Sequence, residues 1–257
     1  MKRLLFTLLA SLLLTLPAEA QFFEAFRPMY YIGGVPLEGP VNKTTSDIKF
    51  QLSVAIPFWR DIGNREGTDI FFGYTQITLW DFFDHSAPFY DTCYNPGLYF
   101  RLPARQDREW LFGIEHRSNG RPMRGSNGDT LSRSVNYVSA QYSAYFQSGF
   151  VLKASLRGGY GWYDDELTLD LLTGFFGFGD ITTGYRSPDG KLELFVTATP
   201  LFKPFNVNVE AAVSYNIGFC SLFAQYNYGY AEALATWVRG YHPAPYLRAG
   251  VLFGNLL

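Results

Sequence analysis

The stretch Ile48-Lys49-Phe50-Gln51-Leu52-Ser53-Val54-Ala55-Ile56-Pro57-Phe58-Trp59 alternates with a period of two. One set, Ile48, Phe50, Leu52, Val54, Ile56 and Phe58, is apolar throughout. The other, Lys49, Gln51, Ser53, Ala55 and Pro57, is polar or small. Successive side chains of a strand point to opposite faces. A strand with lipid on its outside and water or polar packing on its inside produces this pattern.

The pattern recurs along the chain. Ser134–Gln147 sets Val138, Ala140, Tyr142, Ala144 and Phe146 against Tyr137, Ser139, Gln141, Ser143 and Gln147. Asn206–Tyr215 sets Val207, Val209, Ala211, Val213 and Tyr215 against Asn206, Asn208, Glu210, Ala212 and Ser214. Arg27–Ile32, Ile70–Trp80, Tyr94–Leu102, Glu109–Arg117, Phe150–Trp162, Asp180–Arg186, Leu192–Thr199, Cys220–Tyr230 and Pro245–Gly254 are further candidates. The count is twelve strands, and an even count lets both ends of the chain finish on one side of a membrane. Short turns at Gln147-Ser148-Gly149, Pro188-Asp189-Gly190 and Asn216-Ile217-Gly218 alternate with longer links, as periplasmic turns and external loops do. The links Arg60–Thr68 and Pro200–Pro204 fit that rhythm less well. The predicted fold is an all-β, twelve-stranded antiparallel transmembrane barrel.

Composition agrees. Aromatic residues make up 18% of the 257 residues, and no run of apolar residues is long enough for a spanning helix. Lys2 and Arg3, the apolar run from Leu4 to Leu16, and Ala18-Glu19-Ala20 read as an export signal over residues 1–20. Residues 21–257 then form one barrel domain. The net charge is −2 with acids and bases mixed, so no nucleic-acid partner is indicated. The strand order puts Cys93 and Cys220 at opposite ends of the barrel. That is beyond the roughly 4.4–6.8 Å Cα separation of a disulfide, so both are expected to be free thiols.

Glu109–Arg117 is the fifth predicted strand, and its outward set is Trp110, Phe112, Ile114, His116 and Ser118. Two polar side chains at the end of an apolar row are costly unless they lie at headgroup level or find partners. The sixth strand carries Asn136 in its outward set, and adjacent strands lie about 4.8 Å apart. Serine needs a base within hydrogen-bond reach to act as a nucleophile, and histidine needs a third group to fix its tautomer. Asparagine can fix the tautomer, but being neutral it stabilises the imidazolium less than aspartate would. A bound cation could supply the missing charge. The bland alternative is an interfacial polar girdle of Ser118, His116 and Asn136. No G-x-S-x-G occurs, so an α/β-hydrolase is not indicated.

His116-Arg117-Ser118-Asn119-Gly120-Arg121, followed by Ser132-Arg133-Ser134-Val135-Asn136, resembles the active-site signature of the outer-membrane phospholipase A family. Lys49–Arg60 is similar to that family's second strand. Tyr74-Thr75-Gln76 and Ser86-Ala87-Pro88-Phe89 resemble its third strand and external loop, and Tyr246–Leu257 its closing strand. The resemblance implies a bacterial outer-membrane barrel that hydrolyses acyl ester bonds of phospholipids, with A1, A2 and lysophospholipase activity. It implies His116 as base, Ser118 as nucleophile, Asn136 as orienting residue, and the Gly120 N–H in the oxyanion hole. It further implies calcium dependence and activity as a homodimer, with acyl chains in grooves between two barrels. The calcium site would be shared, with Ser86 from one subunit and the carbonyl oxygen of Arg121 together with Ser132 from the other. Oxygen ligands suit that hard cation. Gln76 matches a polar residue of the family's dimer interface; alternatively it faces the lumen.

The chain departs from the family pattern in two places. Pro122–Leu131 is longer, which opens a calcium role to Asp129, and Val135 and Tyr137 stand where tryptophan and arginine often flank the asparagine. Asp164-Asp165 matches an acidic calcium-binding stretch of monomeric members, or is a solvated loop. His85 and His242 read as loop histidines, and Gly174–Gly179 as an external loop rather than a nucleotide site. The rival functional class is a small porin or structural barrel in which the Ser/His/Asn cluster is inert.

Overall fold

The computed structural model describes residues 23–43, 45–83, 85–120, 132–160, 169–202, 205–230 and 244–257. The strands are β1 (Glu24–Ala25), β2 (Met29–Pro36), β3 (Asp47–Trp59), β4 (Asp69–Trp80), β5 (Phe89–Arg105), β6 (Arg108–Ser118) and β7 (Ser134–Tyr145). They continue with β8 (Phe150–Tyr160), β9 (Gly179–Arg186), β10 (Leu192–Phe202), β11 (Phe205–Asn216), β12 (Ser221–Gly229) and β13 (Ala244–Phe253). From β2 to β13 each strand pairs antiparallel with its chain neighbours, and β13 pairs with β2. The result is a closed ring of twelve. Closure satisfies every edge, which a hydrocarbon environment requires.

The alternation places the faces as the sequence implies. On β3, Leu52 is 51% exposed on the outer wall, while its neighbours Gln51 and Ser53 are buried in the lumen. Cys93 lies near the outer end of β5 and Cys220 in the β11–β12 turn, and both thiols are free. The link Arg60–Thr68 contains a short 3-10 turn, Ile62–Asn64.

Two elements differ from expectation. The first strand does not start at Arg27. Tiny β1 pairs with β3 at Glu24↔Ala55, and the ladder resumes only in β2. Between them Phe26 turns into the lumen and packs edge-on 5.2 Å from Phe71 and tilted 4.7 Å from Tyr99. Arg27 follows it inward to hydrogen-bond Asn95 at 2.9 Å. Pro28 has no N–H to offer a ladder, so the break falls there at low cost.

The second difference is the glycine-rich segment after β8, which is not a purely external loop. Leu172–Phe176 forms a π-helical turn whose Leu172, Phe175 and Phe176 are buried. They pack with Cys93 of β5 and with Val135 and Tyr137 of β7. On the opposite wall, Asn208 Nδ2 of β11 donates to the Phe175 carbonyl at 2.9 Å. The turn therefore spans the bore. Its apolar side chains avoid water by entering the barrel, and Asn208 satisfies an end carbonyl that a short helix leaves open.

Ion pairs and hydrogen bonds line the rest of the lumen, around cavities of about 210 and 280 Å³. Arg248 of β13 forks onto Asp47 at the start of β3, with Nε–Oδ1 2.7 Å and Nη2–Oδ2 2.8 Å. Lys49 Nζ donates to Gln225 Oε1 at 2.8 Å, and Ser53 and Thr75 hydroxyls meet at 2.8 Å.

Candidate active site

On β6, Ile114 is 54% exposed while Glu115 is 4% and Arg117 9% exposed. His116 and Ser118 continue the outward row of Phe112 and Ile114, and both are half-buried. On β7 the parity is the same: Val138 faces out, Val135 and Tyr137 face in, and Asn136 shares the outer wall. The β6–β7 register sets His116 directly opposite Asn136. His116 Nδ1 lies 2.7 Å from Asn136 Oδ1. An amide oxygen only accepts, so Nδ1 carries the proton and the Nε2 lone pair is left to act as a base.

Ser118 sits one step outward on the same row, paired with Tyr94 of β5 and Ser134 of β7. Among the described contacts no hydrogen bond joins its Oγ to the imidazole. Such bonds commonly tighten only around a substrate. Gly120 follows at φ +60°, and a Cβ there would come within 2.6 Å of the Tyr94 ring. Glycine is required by both the backbone angle and the space. The buried Asn119 holds this turn in place: its N–H donates to the Arg133 carbonyl at 3.0 Å, and its Oδ1 accepts from the Arg133 N–H at 2.9 Å.

A lumen-side network backs the pair. Asn95 Nδ2 donates to the His116 carbonyl at 3.0 Å and to the Tyr137 hydroxyl oxygen at 3.2 Å. Glu115 accepts from the hydroxyls of Tyr99 at 2.7 Å, Tyr137 at 2.9 Å and Ser139 at 2.5 Å, and from Arg27 at 3.2 Å. Arg117 lies under Phe176 of the π-helical turn that plugs the bore, 4.5 Å from the ring centre, and donates Nε–H to Cys93 Sγ at 2.8 Å. Sequence reading did not find these supports. The inward parity of Glu115 and the unusual Tyr137 were their only signals.

The residues expected at the metal site are less complete. Ser86 is exposed at the β4–β5 loop with φ +67°, and its Oγ meets His85 Nδ1 at 3.1 Å. His85 is an exposed loop histidine, as expected, and Ser86 is its hydrogen-bond partner. Ser132 is half-buried, and its carbonyl accepts from Arg133 Nη1 at 2.8 Å. Arg121, Asp129, Asp164, Asp165 and His242 lie outside the described residues, as does the 1–20 segment. Among the described residues no group of three His, Cys, Asp or Glu side chains could hold a metal. The oxygen donors that remain fit a hard cation in kind.

Gln76 lies on the outer wall, because its neighbour Thr75 is buried in the lumen and bonded to Ser53. It accepts from the Tyr74 hydroxyl at 2.8 Å and donates to Thr78 Oγ1 at 3.1 Å.

Residues 36–239 match the family model described as phospholipase A1. Phospholipase A1 of Proteus vulgaris is 30% identical over 206 residues, covering 75% of this chain and 65% of that protein. A putative phospholipase A1 of serogroup B Neisseria meningitidis is 24% identical over 230 residues, covering 82% of this chain and 54% of that one. The chain thus spans less than two thirds of the length of these curated relatives. The calcium-bound outer membrane phospholipase dimer of Salmonella typhi superposes with TM-score 0.77 at 21% identity, over 94% of this chain and 96% of that one. Outer membrane phospholipase A of Escherichia coli superposes with TM-score 0.76 at 22% identity, over 91% and 95%. Those structures share the closed barrel. With the family model covering most of its length, the chain belongs to the phospholipase A1 family.

Proposed function

We propose that this protein is an outer-membrane phospholipase that hydrolyses acyl ester bonds of phospholipids at the A1 and A2 positions, and of lysophospholipids. The observation that carries the reading is the 2.7 Å His116–Asn136 bond on the lipid-facing wall, one step from Ser118. An ester entering from the membrane meets that wall without leaving the apolar phase.

His116 Nε2 removes the Ser118 hydroxyl proton as Oγ attacks the ester carbonyl. Asn136 keeps Nδ1 protonated and the ring in plane. The Gly120 N–H donates to the oxyanion. The tetrahedral adduct then expels the glycerol oxygen, which takes the proton from His116. Water repeats the sequence on the acyl-enzyme and releases the fatty acid. Calcium, when bound, supplies positive charge that neutral Asn136 does not. Ser132 and the Arg121 carbonyl would hold it from one subunit and Ser86 from a second. The active form is a homodimer with Gln76 at its interface. An amide in lipid gains from pairing with its copy across a two-fold axis. Residues 1–20 direct export and residues 21–257 form the barrel.

The inert-pore alternative is disfavoured by the plug, because Leu172–Phe176 touches both walls of the bore. The refolded chain in detergent micelles with calcium is expected to release fatty acid from phospholipid. Ser118→Ala should abolish release, and chelator should abolish it reversibly. Calcium-independent hydrolysis, or hydrolysis that survives Ser118→Ala, refutes the assignment.

A further inference from the structure

The π-helical turn is anchored on the wall opposite the His116–Asn136 rung. Asn208 Nδ2 of β11 donates to the Phe175 carbonyl at 2.9 Å, and Asn208 Oδ1 accepts from the Tyr230 N–H at 2.8 Å. Gly177 follows the turn at φ +78° and lies against β10, where a Cβ would come within 2.3 Å of Thr199 Cγ2. The turn is therefore a strut fixed at β10 and β11. Its free end bears on the lumen side of β6, β7 and β8.

The bearing side chain is Phe176, 6% exposed. Arg117 Cζ lies 4.5 Å from its ring centre, Arg157 Cζ 4.7 Å, and the Tyr137 ring centre 5.3 Å. Arg117 stands between His116 and Ser118 and is the last inward side chain of β6. Tyr137 follows Asn136 on β7, and Arg157 on β8 is the ion-pair partner of Asp180 on β9. A guanidinium over an aromatic face is attracted by the ring quadrupole, more strongly where water is excluded. An aliphatic side chain fills the space but has no such face.

We propose that Phe176 is a positioning residue for ester hydrolysis: its ring holds Arg117, and through Arg117 the outer end of β6, so that Ser118 can close on the imidazole. The inference rests on the phospholipase reading of His116, Ser118 and Asn136. Phe176 touches none of the three, and it acts from the lumen through the residue between two of them. The strand end needs such a hold, because Ser118 is the final residue of β6 and the Gly120 turn follows at once. A misplacement of about 1 Å at reacting atoms can cost about 10²-fold in rate.

The test uses the full mature chain refolded in detergent micelles with calcium and phosphatidylcholine. Phe176→Leu should lower kcat about tenfold and leave KM within about twofold, with the thermal midpoint retained. Phe176→Tyr keeps the ring face, and its hydroxyl has the polar cavity of about 210 Å³ beside it, so kcat should return to within about threefold of wild type. Equal losses in the leucine and tyrosine variants overturn the proposal, as does an unchanged kcat in Phe176→Leu. Arg117→Met should lower kcat by a similar factor, and adding Phe176→Leu to it should cost little more; losses that multiply overturn the route through Arg117. Should Phe176→Leu fail to refold, Asn208→Ala, which releases the strut at the opposite wall, should lower kcat about threefold with KM retained, and unchanged kcat overturns the proposal. The two readings fail separately. Normal hydrolysis by Phe176→Leu removes the positioning role alone. A wild-type chain without hydrolysis removes the catalytic reading. Amide exchange then judges the mechanical link: faster exchange at His116–Asn119 in Phe176→Leu, with Trp110–Phe112 unchanged, supports it, and unchanged exchange overturns it.

Discussion

At the scale of the residue, the proposed chemistry depends on how one imidazole is held. Asn136 accepts from Nδ1 at 2.7 Å, which frees Nε2 for the serine proton. A hydrogen bond to a group that becomes charged contributes about 1.5–3 kcal/mol. At 1.36 kcal/mol per decade of rate, Asn136→Ala should lower kcat by roughly 10–100-fold. The barrel itself should be unaffected, since the side chain is half-buried on the outer wall and, among the described residues, bonds only the ring. Steady-state kinetics together with a thermal unfolding curve check both parts. A drop in stability equal to the drop in rate would mean that Asn136 is structural. Most of this site was legible beforehand, because parity alone puts His116, Ser118 and Asn136 on one wall. The bond between Asn95 and the His116 carbonyl was not legible. Its partners are 21 residues apart, and no local pattern marks a lumen-facing asparagine as a support.

At the scale of the element, β2, β3 and β13 form the seam where the chain closes on itself. The Arg248–Asp47 fork bridges that seam with side chains 1% and 4% exposed. Removing one member leaves a buried charge without its partner, which costs about 3–5 kcal/mol. Asp47→Ala should therefore lower the unfolding free energy obtained from urea titration by an amount in that range. The double variant Asp47→Leu, Arg248→Met should recover most of the loss, because buried pairs are often replaceable by apolar side chains of similar volume. An Asp47→Ala midpoint equal to wild type would show that the fork contributes nothing to closure. The ring of strands followed from alternation and turn spacing. The late start of β2 did not, because an extended Phe26-Arg27-Pro28 has the same period whether it joins the wall or turns inward. Cavity-filling by Phe26 against Phe71 and Tyr99 decides that.

At the scale of the whole molecule, the lumen is crossed by side chains and is not an open bore. The π-helical turn reaches from β5 and β7 across to β11, and the Arg27–Glu115 network lines a cavity of about 210 Å³ beneath it. Planar-bilayer recordings of the refolded protein should therefore give no stepwise conductance. Stable single-channel steps would revive the pore alternative. The sequence by itself determined the number of staves, which face of each meets lipid, and the wall on which serine, histidine and asparagine share a surface. Those properties follow from the two-residue period of a strand and the requirement that every membrane-embedded backbone group be paired. Only the tertiary structure decided the register that puts His116 opposite Asn136, the inward turn of Phe26 and Arg27, and the helical plug. Each of these depends on contacts between segments far apart in the chain, formed when the barrel closes and its interior must be filled.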